Sequence, residues 1–216
     1  MGAPGPPPRA PAGASAEPAR SPWLGFSAVA VGTFMATLDG SIVNVALPTL
    51  RRELRAALSG VEWVVTAYLL VISVALLTAG RLGDLLGHRR VYVGGMLLFT
   101  LGSGLCGLAP GLDVLVAARA VQALGACAMM AMGPAVVTAI FPAHQRGRAL
   151  GSVASVVALG LTAGPPLGGL IVQQLSWRWI FFVNLPVGVA GAVWAARALP
   201  AARPAHPPAL DRRGAL

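Results

Sequence analysis

Long hydrophobic segments alternate with short polar ones along most of the 216-residue chain. Six of these segments are close to the roughly 20 residues that an α-helix needs to cross the hydrocarbon core of a bilayer. The pattern therefore predicts an all-α membrane protein with six transmembrane helices. The predicted spans are Trp23–Leu47, Val61–Ala79, Val91–Ala109, Val114–Ile140, Ala149–Leu175 and Trp179–Leu199, and the predicted breaks are Pro48, the Gly80–Arg90 segment, Pro110-Gly111, Pro142 and Ser176.

The two ends of the chain differ in composition from the predicted six-helix bundle of residues 23–199. Residues 1–22 are rich in proline, alanine and glycine, which is typical of disorder. They lack the apolar core of a signal peptide, so we predict a disordered tail that is not cleaved. Residues 200–216 are rich in proline and arginine and are predicted to form a linker.

Composition supports a lipid environment. Hydrophobic residues make up 56% of the chain and charged residues 11%, and the mean hydropathy is +0.74. A soluble domain has about 25% charged residues, so this chain is expected to have the bilayer as its main partner. The formal net charge is +9, but the arginines are spread over short inter-helix segments rather than grouped on one face. This distribution argues against nucleic acid as a partner.

The arginines also predict the orientation, because loops on the cytoplasmic side of a membrane carry an excess of positive charge. With both termini in the cytoplasm, eleven arginines lie on that side and four lie outside. We therefore predict a multi-pass protein of the inner (plasma) membrane with both termini cytoplasmic. The cluster Arg51, Arg52 and Arg55 is the exception, and Glu53 and Glu62 partly neutralise it.

Asp39 is the one acidic residue deep inside a predicted span. Placing an ionisable side chain there is costly, which makes it a functional candidate by default. Because desolvation penalises the charged form of a carboxylic acid, such a residue could bind and release a proton. The alternative is a buried aspartate that only bonds neighbouring helices, with Ser41 and Asn44 on the same helix.

Arg119 lies about one turn inside the fourth span, and Gln122 follows on a similar face. An arginine remains protonated in any pocket, so it could hold an acid in its ionised form or attract an anionic group. Alternatively, its side chain could extend to the membrane interface, as long basic side chains near helix ends do. The residues alone do not decide between the two.

The segment Gly80–Arg90 joins the second and third spans, and its glycines permit a tight reversal. Asp84 could cap the following helix or pair with an arginine. A charged, glycine-containing connector could latch one helix bundle to another, although an ordinary positively charged loop is the simpler interpretation. The candidate latch residues are Gly80, Asp84, Gly87, Arg89 and Arg90.

The fifth span has glycines at every fourth position, which form a smooth stripe that permits close helix contact. Two adjacent prolines are predicted to bend the helix midway. This combination suits a moving interface in a transporter, and a static dimer contact is the alternative. The candidate residues are Gly160, Gly164, Pro165, Gly168 and Gly169.

Motifs for metal, phosphate or nucleophilic chemistry are missing from the sequence. The histidines are scattered, and Cys106 and Cys127 stand alone within apolar segments, so they are interpreted as packing residues. Asp39 and Asp84 lie on opposite sides of the predicted topology, which disfavours a membrane-embedded enzyme. We predict no metal, no cofactor and no enzymatic activity.

Five stretches in the order of one known family make the chain resemble the major facilitator superfamily, in particular its fourteen-span drug:proton antiporter branch. They resemble that family's first-helix motif, its loop motif between helices 2 and 3, its fourth-helix motif linked to proton coupling, its fifth-helix antiporter motif and its entry into helix 6. Leu85 and Ala123 depart from the usual residues of the loop and fourth-helix motifs. The stretches are residues 38–48, Gly80–Arg90, Leu115–Gly125, Gly160–Gly169 and Trp177–Gly188.

The resemblance implies alternating access by two six-helix bundles, each made of two inverted three-helix repeats. It implies a proton as the coupling ion, with Asp39, Asn44, Arg119 and Gln122 at the proton-coupling or substrate site. It also implies export of a small hydrophobic or cationic molecule.

The resemblance also predicts that the chain is an N-terminal half. Residues 211–216 resemble the lead-in to a seventh span, which the sequence does not contain. The half is therefore expected to belong to a longer transporter or to assemble with a C-terminal half. The alternative hypothesis is a non-transporting half that serves as an assembly partner of a complete transporter.

Overall fold

A computed structural model describes residues 21–200, and these residues form seven helices and no strand. The predicted tail of residues 1–22 and the predicted linker of residues 200–216, including the lead-in at residues 211–216, lie outside the described residues except for residues 21, 22 and 200. The helices are α1 (Pro22–Glu53), α2 (Leu58–Leu86), α3 (His88–Leu108), α4 (Leu112–Ile140), α5 (Ala143–Gln174), α6 (Trp179–Phe182) and α7 (Asn184–Ala198).

Six segments of the described chain are long and apolar enough to cross a membrane, with α6 and α7 together forming the sixth. The predicted number and order of spans are therefore confirmed. The sixth span is interrupted at Val183. Pro186 lies just inside α7 and has no N–H to donate to the carbonyl of Phe182 four residues earlier. The missing hydrogen bond explains the interruption.

Two of the predicted breaks are wrong. Helix α1 continues through Pro48 to Glu53, because residues beyond the proline, such as the fully buried Leu50, still pack in the core. Helix α2 continues through Gly80 to Leu86, so most of the predicted connector is helical. The chain reverses at Gly87, where φ is 92°. Only glycine adopts this backbone angle readily.

The six spans alternate in direction. We call the end where α1 begins and α7 finishes the terminal end, and the other the opposite end. Helix α1 packs mainly against α5, and α4 packs mainly against α2 and α3. If the first three spans are matched in order with the last three, α1 corresponds to α4 and α2 corresponds to α5. The α1–α5 contact then corresponds to the α4–α2 contact, and α1 and α4 run in opposite directions. The arrangement is that of two inverted three-helix repeats.

The outer surface of the bundle matches a bilayer. Helices α2 and α5 are the least buried of the spans, and leucine and valine side chains cover their outer faces. Four tryptophans near helix ends expose between 43% and 52% of their surface. Tryptophan is enriched at the two levels where a membrane meets water. These tryptophans are Trp23 and Trp194 at the terminal end and Trp63 and Trp179 at the opposite end.

Glycines bring α3 and α4 into backbone contact. A Cβ atom on Gly125 would lie 2.3 Å from the backbone nitrogen of Phe99 and 2.5 Å from the carbonyl oxygen of Gly95. A Cβ atom on Gly102 would lie 2.6 Å from the Cα atom of Gln122. Small residues at such positions permit the close approach on which helix association in membranes depends. This contact determines where Gln122 lies relative to α3.

We expect Gly125→Ala to destabilise the bundle by about 1–3 kcal/mol, because the added methyl group would meet backbone atoms that cannot move independently. The free energy of unfolding in detergent would measure the effect. Gly94→Ala is the matched control on α3, since a Cβ atom there meets nothing within 4 Å. The control should be neutral or stabilising, by up to about 1 kcal/mol. Equal effects of the two substitutions would contradict close α3–α4 contact.

Candidate functional site

Asp39 lies near the middle of α1 and is fully buried. Its Oδ2 atom accepts a hydrogen bond from Nη1 of Arg119 at 2.5 Å. Its Oδ1 atom accepts hydrogen bonds from Nε2 of Gln122 at 2.8 Å and from Nδ2 of Asn184 at 3.0 Å. All three partners are donors, which is the arrangement that an ionised carboxylate requires.

Arg119 is also fully buried, so the sequence-based alternative that it extends to the membrane interface is wrong. Helix α4 begins at Leu112, which places the residue two turns inside the helix. Its Nε atom donates to the carbonyl oxygen of Val64 at 3.1 Å, and its guanidinium carbon lies 4.0 Å from the ring centroid of Tyr68. The contacts from α2 hold the guanidinium against Asp39 and away from lipid.

Gln122 completes the link between the two charges. Its amide oxygen accepts from Nη1 of Arg119 at 2.7 Å while its Nε2 atom donates to Asp39. The spacing of three residues places Arg119 and Gln122 on one face of α4, as the sequence predicted. The thiol of Cys106 on α3 lies 3.5 Å from the same amide oxygen. The amide orientation of Gln122 is therefore determined by a cation on one side and a carboxylate on the other.

Two members of the cluster were not identified as site residues from sequence. Asn184 at the start of α7 is 3% exposed and bonds both Asp39 and Ser103 through Nδ2, at 3.0 Å each. The Ser103 hydroxyl donates to the carbonyl oxygen of Phe181 at 2.8 Å. A usable signal was present, because Asn184 is one of only two asparagines in the chain and follows an apolar segment. In the sequence it belongs to the stretch Trp177–Gly188, which resembles the family's entry into helix 6.

The cluster joins four of the six spans. We call Asp39, Ser103, Arg119, Gln122 and Asn184 the polar cluster. They come from α1, α3, α4 and α7, and each is buried. Within residues 21–200, every buried side-chain nitrogen or oxygen atom has a hydrogen-bond partner. Complete pairing matters because an uncompensated charge in hydrocarbon is expensive. The polar cluster can hold one negative and one positive charge in the middle of the bundle. A change in the charge of Asp39 or Arg119 therefore alters the hydrogen bonds of the other members.

Asn44 does not join the polar cluster. It lies on an exposed face of α1, and its Nδ2 atom donates to the carbonyl oxygen of Gly40 at 3.1 Å. The structure thus separates it from Asp39, although both belong to one sequence motif. Asn44 faces outward from the bundle.

The glycine stripe of α5 packs against α1 beside Asp39. A Cβ atom on Gly160 would lie 2.1 Å from Oγ1 of Thr37, and one on Gly168 would lie 2.8 Å from Cγ1 of Ile42. Gly164 is similarly pressed against Ser41. The predicted close helix contact is therefore present, between two helices of the same chain. Pro165 lies on the exposed side, α5 is one continuous helix through both prolines, and Gly169 has open space around it.

The predicted latch residues lie at the terminal end. Asp84 does not cap α3, so that predicted role is wrong, and among residues 21–200 it pairs with no arginine; its Oδ1 atom lies 3.7 Å from Nε2 of His88. The reason is that Asp84 is still inside α2, one turn before the reversal at Gly87. Arg89 crosses to α7 and donates through Nη2 to the carbonyl oxygen of Ala196. Arg90 is exposed.

We expect Arg89→Gln to destabilise the bundle by about 1 kcal/mol, because the guanidinium pairs a carbonyl in the last turn of α7, where a positive charge is favourable. Arg90→Gln, one residue further on, is the control and should change stability by less than about 0.5 kcal/mol. Thermal unfolding of the purified chain in detergent would compare the two. An unchanged midpoint for both variants would show that the contact with Ala196 contributes nothing.

No metal centre is present among residues 21–200, where no three histidine, cysteine or acidic side chains lie close enough to share an ion. Cys106 and Cys127 are both buried and unbridged.

Comparison with known proteins gives a family match that covers most of the chain. The sequence profile described as Major Facilitator Superfamily matches residues 29–215. The riboflavin transporter RibZ of Clostridioides difficile is 40% identical over 178 residues, which are 82% of this chain and 39% of that protein.

Two relatives are named for drug resistance or transport. The multidrug resistance protein Stp of Mycobacterium tuberculosis is 47% identical over 170 residues, which are 78% of this chain and 32% of that protein. The multidrug transporter protein MdtP of Bacillus subtilis is 38% identical over 184 residues, which are 85% of this chain and 34% of that protein. The chain therefore spans about a third of the length of the curated relatives it matches.

Proposed function

The chain belongs to the major facilitator superfamily, and from that premise we propose that it forms the N-terminal six-helix half of a proton-coupled efflux transporter. It is a multi-pass membrane protein and not an enzyme, as its family and its transporter-named relatives indicate. The observation that carries the proposal is the fully buried pair of Asp39 and Arg119 in the middle of the bundle.

A buried ion pair supports proton coupling for a physical reason. Ionisable side chains within a membrane are costly and commonly mark ion or proton pathways. Asp39 can take up a proton and lose its charge, whereas Arg119 keeps its charge, so each protonation step leaves the guanidinium without its counter-ion. The four spans that share the polar cluster must then adjust their contacts. Such an adjustment could drive the change between two conformations on which transport depends.

The relatives and the motifs support a proposal for the direction of transport and the class of substrate. Stp and MdtP carry the word multidrug in their names, and RibZ is named for riboflavin. The Gly160–Gly169 stretch resembles the motif of antiporters. We therefore propose export of a small hydrophobic or cationic molecule in exchange for protons, and membership of the fourteen-span branch.

The proposed topology places both termini in the cytoplasm of a cell with the chain in its inner membrane. The excess of arginines at the terminal end and in the terminal segments supports this orientation. On this basis the latch residues face the cytoplasm. A C-terminal half would supply the second bundle for alternating access.

A chimera tests the proposed function. The first third of MdtP would be replaced by the matching 184 residues of this chain, and inside-out vesicles would be assayed for accumulation of a fluorescent cationic dye. We expect accumulation that depends on an imposed proton gradient. MdtP itself and vesicles without transporter are the controls. A chimera that reaches the membrane at the level of MdtP but moves no dye, or moves it regardless of the gradient, would contradict the proposal and favour the non-transporting half.

A further inference from the structure

The hydrogen bonds of Asp39 describe only its ionised form. Both carboxylate oxygens accept, Oδ2 from Arg119 and Oδ1 from the amides of Gln122 and Asn184. A protonated carboxyl group also has an O–H, which needs an acceptor when it is buried. Arg119 has no acceptor atom, so among the three partners only an amide can supply the acceptor, by turning its oxygen toward Asp39.

Gln122 is poorly suited to this rotation. Its amide oxygen accepts from Nη1 of Arg119 at 2.7 Å. Turning the amide would direct its NH₂ group at the guanidinium, where two donors would face each other. The thiol of Cys106 points to the same oxygen and would lose its acceptor as well.

Asn184 has the freedom that Gln122 lacks. Its hydrogen bonds with Asp39 and Ser103 both run through Nδ2, and its side-chain carbonyl oxygen accepts from neither Asp39 nor Ser103. Its second partner, the Ser103 hydroxyl, can either donate or accept because its hydrogen rotates about the C–O bond. In the ionised state Ser103 accepts from Asn184 and donates to Phe181. After rotation of the Asn184 amide, Ser103 could donate to the amide oxygen instead.

We propose that Asn184 is a positioning residue whose side-chain amide rotates with the protonation state of Asp39. This inference rests on the proposed function, since it concerns the step in which Asp39 gains a proton. A hydronium ion gives its proton to Oδ1 of Asp39, an O–H bond forms and water leaves. The new O–H donates to the carbonyl oxygen of Asn184, and the Ser103 hydroxyl donates to the same oxygen.

The rotation connects Asp39 to the interruption in the sixth span. When the Ser103 hydroxyl turns toward Asn184, it releases the carbonyl oxygen of Phe181. Phe181 lies two residues before Val183 and Asn184 lies directly after it, and Val183 is where α6 meets α7. Uptake of a proton in α1 thus changes the hydrogen bonds at the least regular point of α6 and α7.

The other titratable or charged groups around Asp39 come from three helices. Arg119 lies on α4, Tyr68 on α2 and Cys106 on α3. Helix α5 presents its glycine stripe to α1, and the polar group that α7 presents to Asp39 is Asn184. A pH-dependent signal from Asn184 therefore has Asp39 as its nearest source.

The composition of the chain makes a direct test possible. The chain has two asparagines, Asn184 and Asn44, and four aspartates, so selective ¹³C labelling of their side-chain carbonyl carbons gives a simple NMR spectrum. The full 216-residue chain would be measured in lipid nanodiscs between about pH 4 and pH 10. Asn44, exposed and bonded within its own helix, is the internal control. Asn44→Ser would assign its signal, and Asp39→Asn would assign that of Asp39.

We expect the Asn184 signal to shift with the same midpoint as the Asp39 signal, while the Asn44 signal remains constant. In Asp39→Asn the pH dependence of Asn184 should be lost. An Asp39 signal that titrates while Asn184 stays constant would overturn the inference and leave the proposed function intact. An Asp39 signal that never titrates would overturn the proton-binding role of Asp39, and the inference with it. The comparison of midpoints needs only the unmodified chain and Asn44→Ser, so it does not depend on the folding of Asp39→Asn.

Discussion

Asp39→Asn is expected to reduce gradient-driven dye accumulation by the chimera to the level of vesicles without transporter. Asparagine has nearly the shape of aspartate but cannot gain or lose a proton near neutral pH. In addition, its amide leaves Arg119 without a buried counter-ion. The assay is the one described for the chimera, with the amount of inserted protein measured in the same vesicles.

Asp113→Asn is the matched control for this experiment. Asp113 is an exposed acid in the first turn of α4, six residues before Arg119, and it is not part of the buried polar cluster. Its substitution removes one negative charge without removing a buried one, so transport should be unchanged. Accumulation by Asp39→Asn that still follows the gradient would exclude Asp39 from the coupling mechanism.

The second large effect concerns stability. Arg119→Met should destabilise the bundle by about 3–5 kcal/mol, because it leaves the carboxylate of Asp39 buried without its counter-ion. Asp39→Asn should also be destabilising, since the guanidinium is then unpaired. The double variant removes both charges at once. Its destabilisation should be smaller than the sum of the single effects by about 1–3 kcal/mol.

Unfolding of the purified chain by a denaturing detergent would measure all four members of this cycle. Arg52→Met, an exposed arginine in the last turn of α1, is the control for loss of a positive charge and should stay within about 0.5 kcal/mol. Additive effects of the single substitutions would show that Asp39 and Arg119 do not interact in the folded protein.

Helix ends were the least predictable feature of the fold. Pro48 and Gly80 are good markers of helix termini, yet both lie inside helices. Their local cost is a few kcal/mol at most. Beyond Pro48 the buried side chain of Leu50 offsets that cost through packing, and at Gly80 the cost is only about 1 kcal/mol. At Gly87, where φ is 92°, the glycine does end the helix.

The members of the polar cluster were predictable to different degrees. Asp39 and Arg119 were identified because a charge in an apolar span is costly wherever the span packs. Asn184 and Ser103 were not, because a neutral polar residue in a span is common and has several ways to satisfy its hydrogen bonds. Asn44 was grouped with Asp39 by sequence proximity, but five residues of a helix turn it to a different face.

The sequence alone predicts six helices that cross a bilayer, because hydrophobicity over about 20 residues is a local property that decides whether a helix is stable in lipid. It also determined which side chains are costly to bury. The folded arrangement was needed to show that Asp39 and Arg119, eighty residues apart, form one ion pair with two amides as further donors. The pairing depends on how closely α3, α4 and α5 approach their neighbours at glycine contacts. The energy of a buried charge in turn depends on which donors and opposite charges those contacts place within hydrogen-bonding distance.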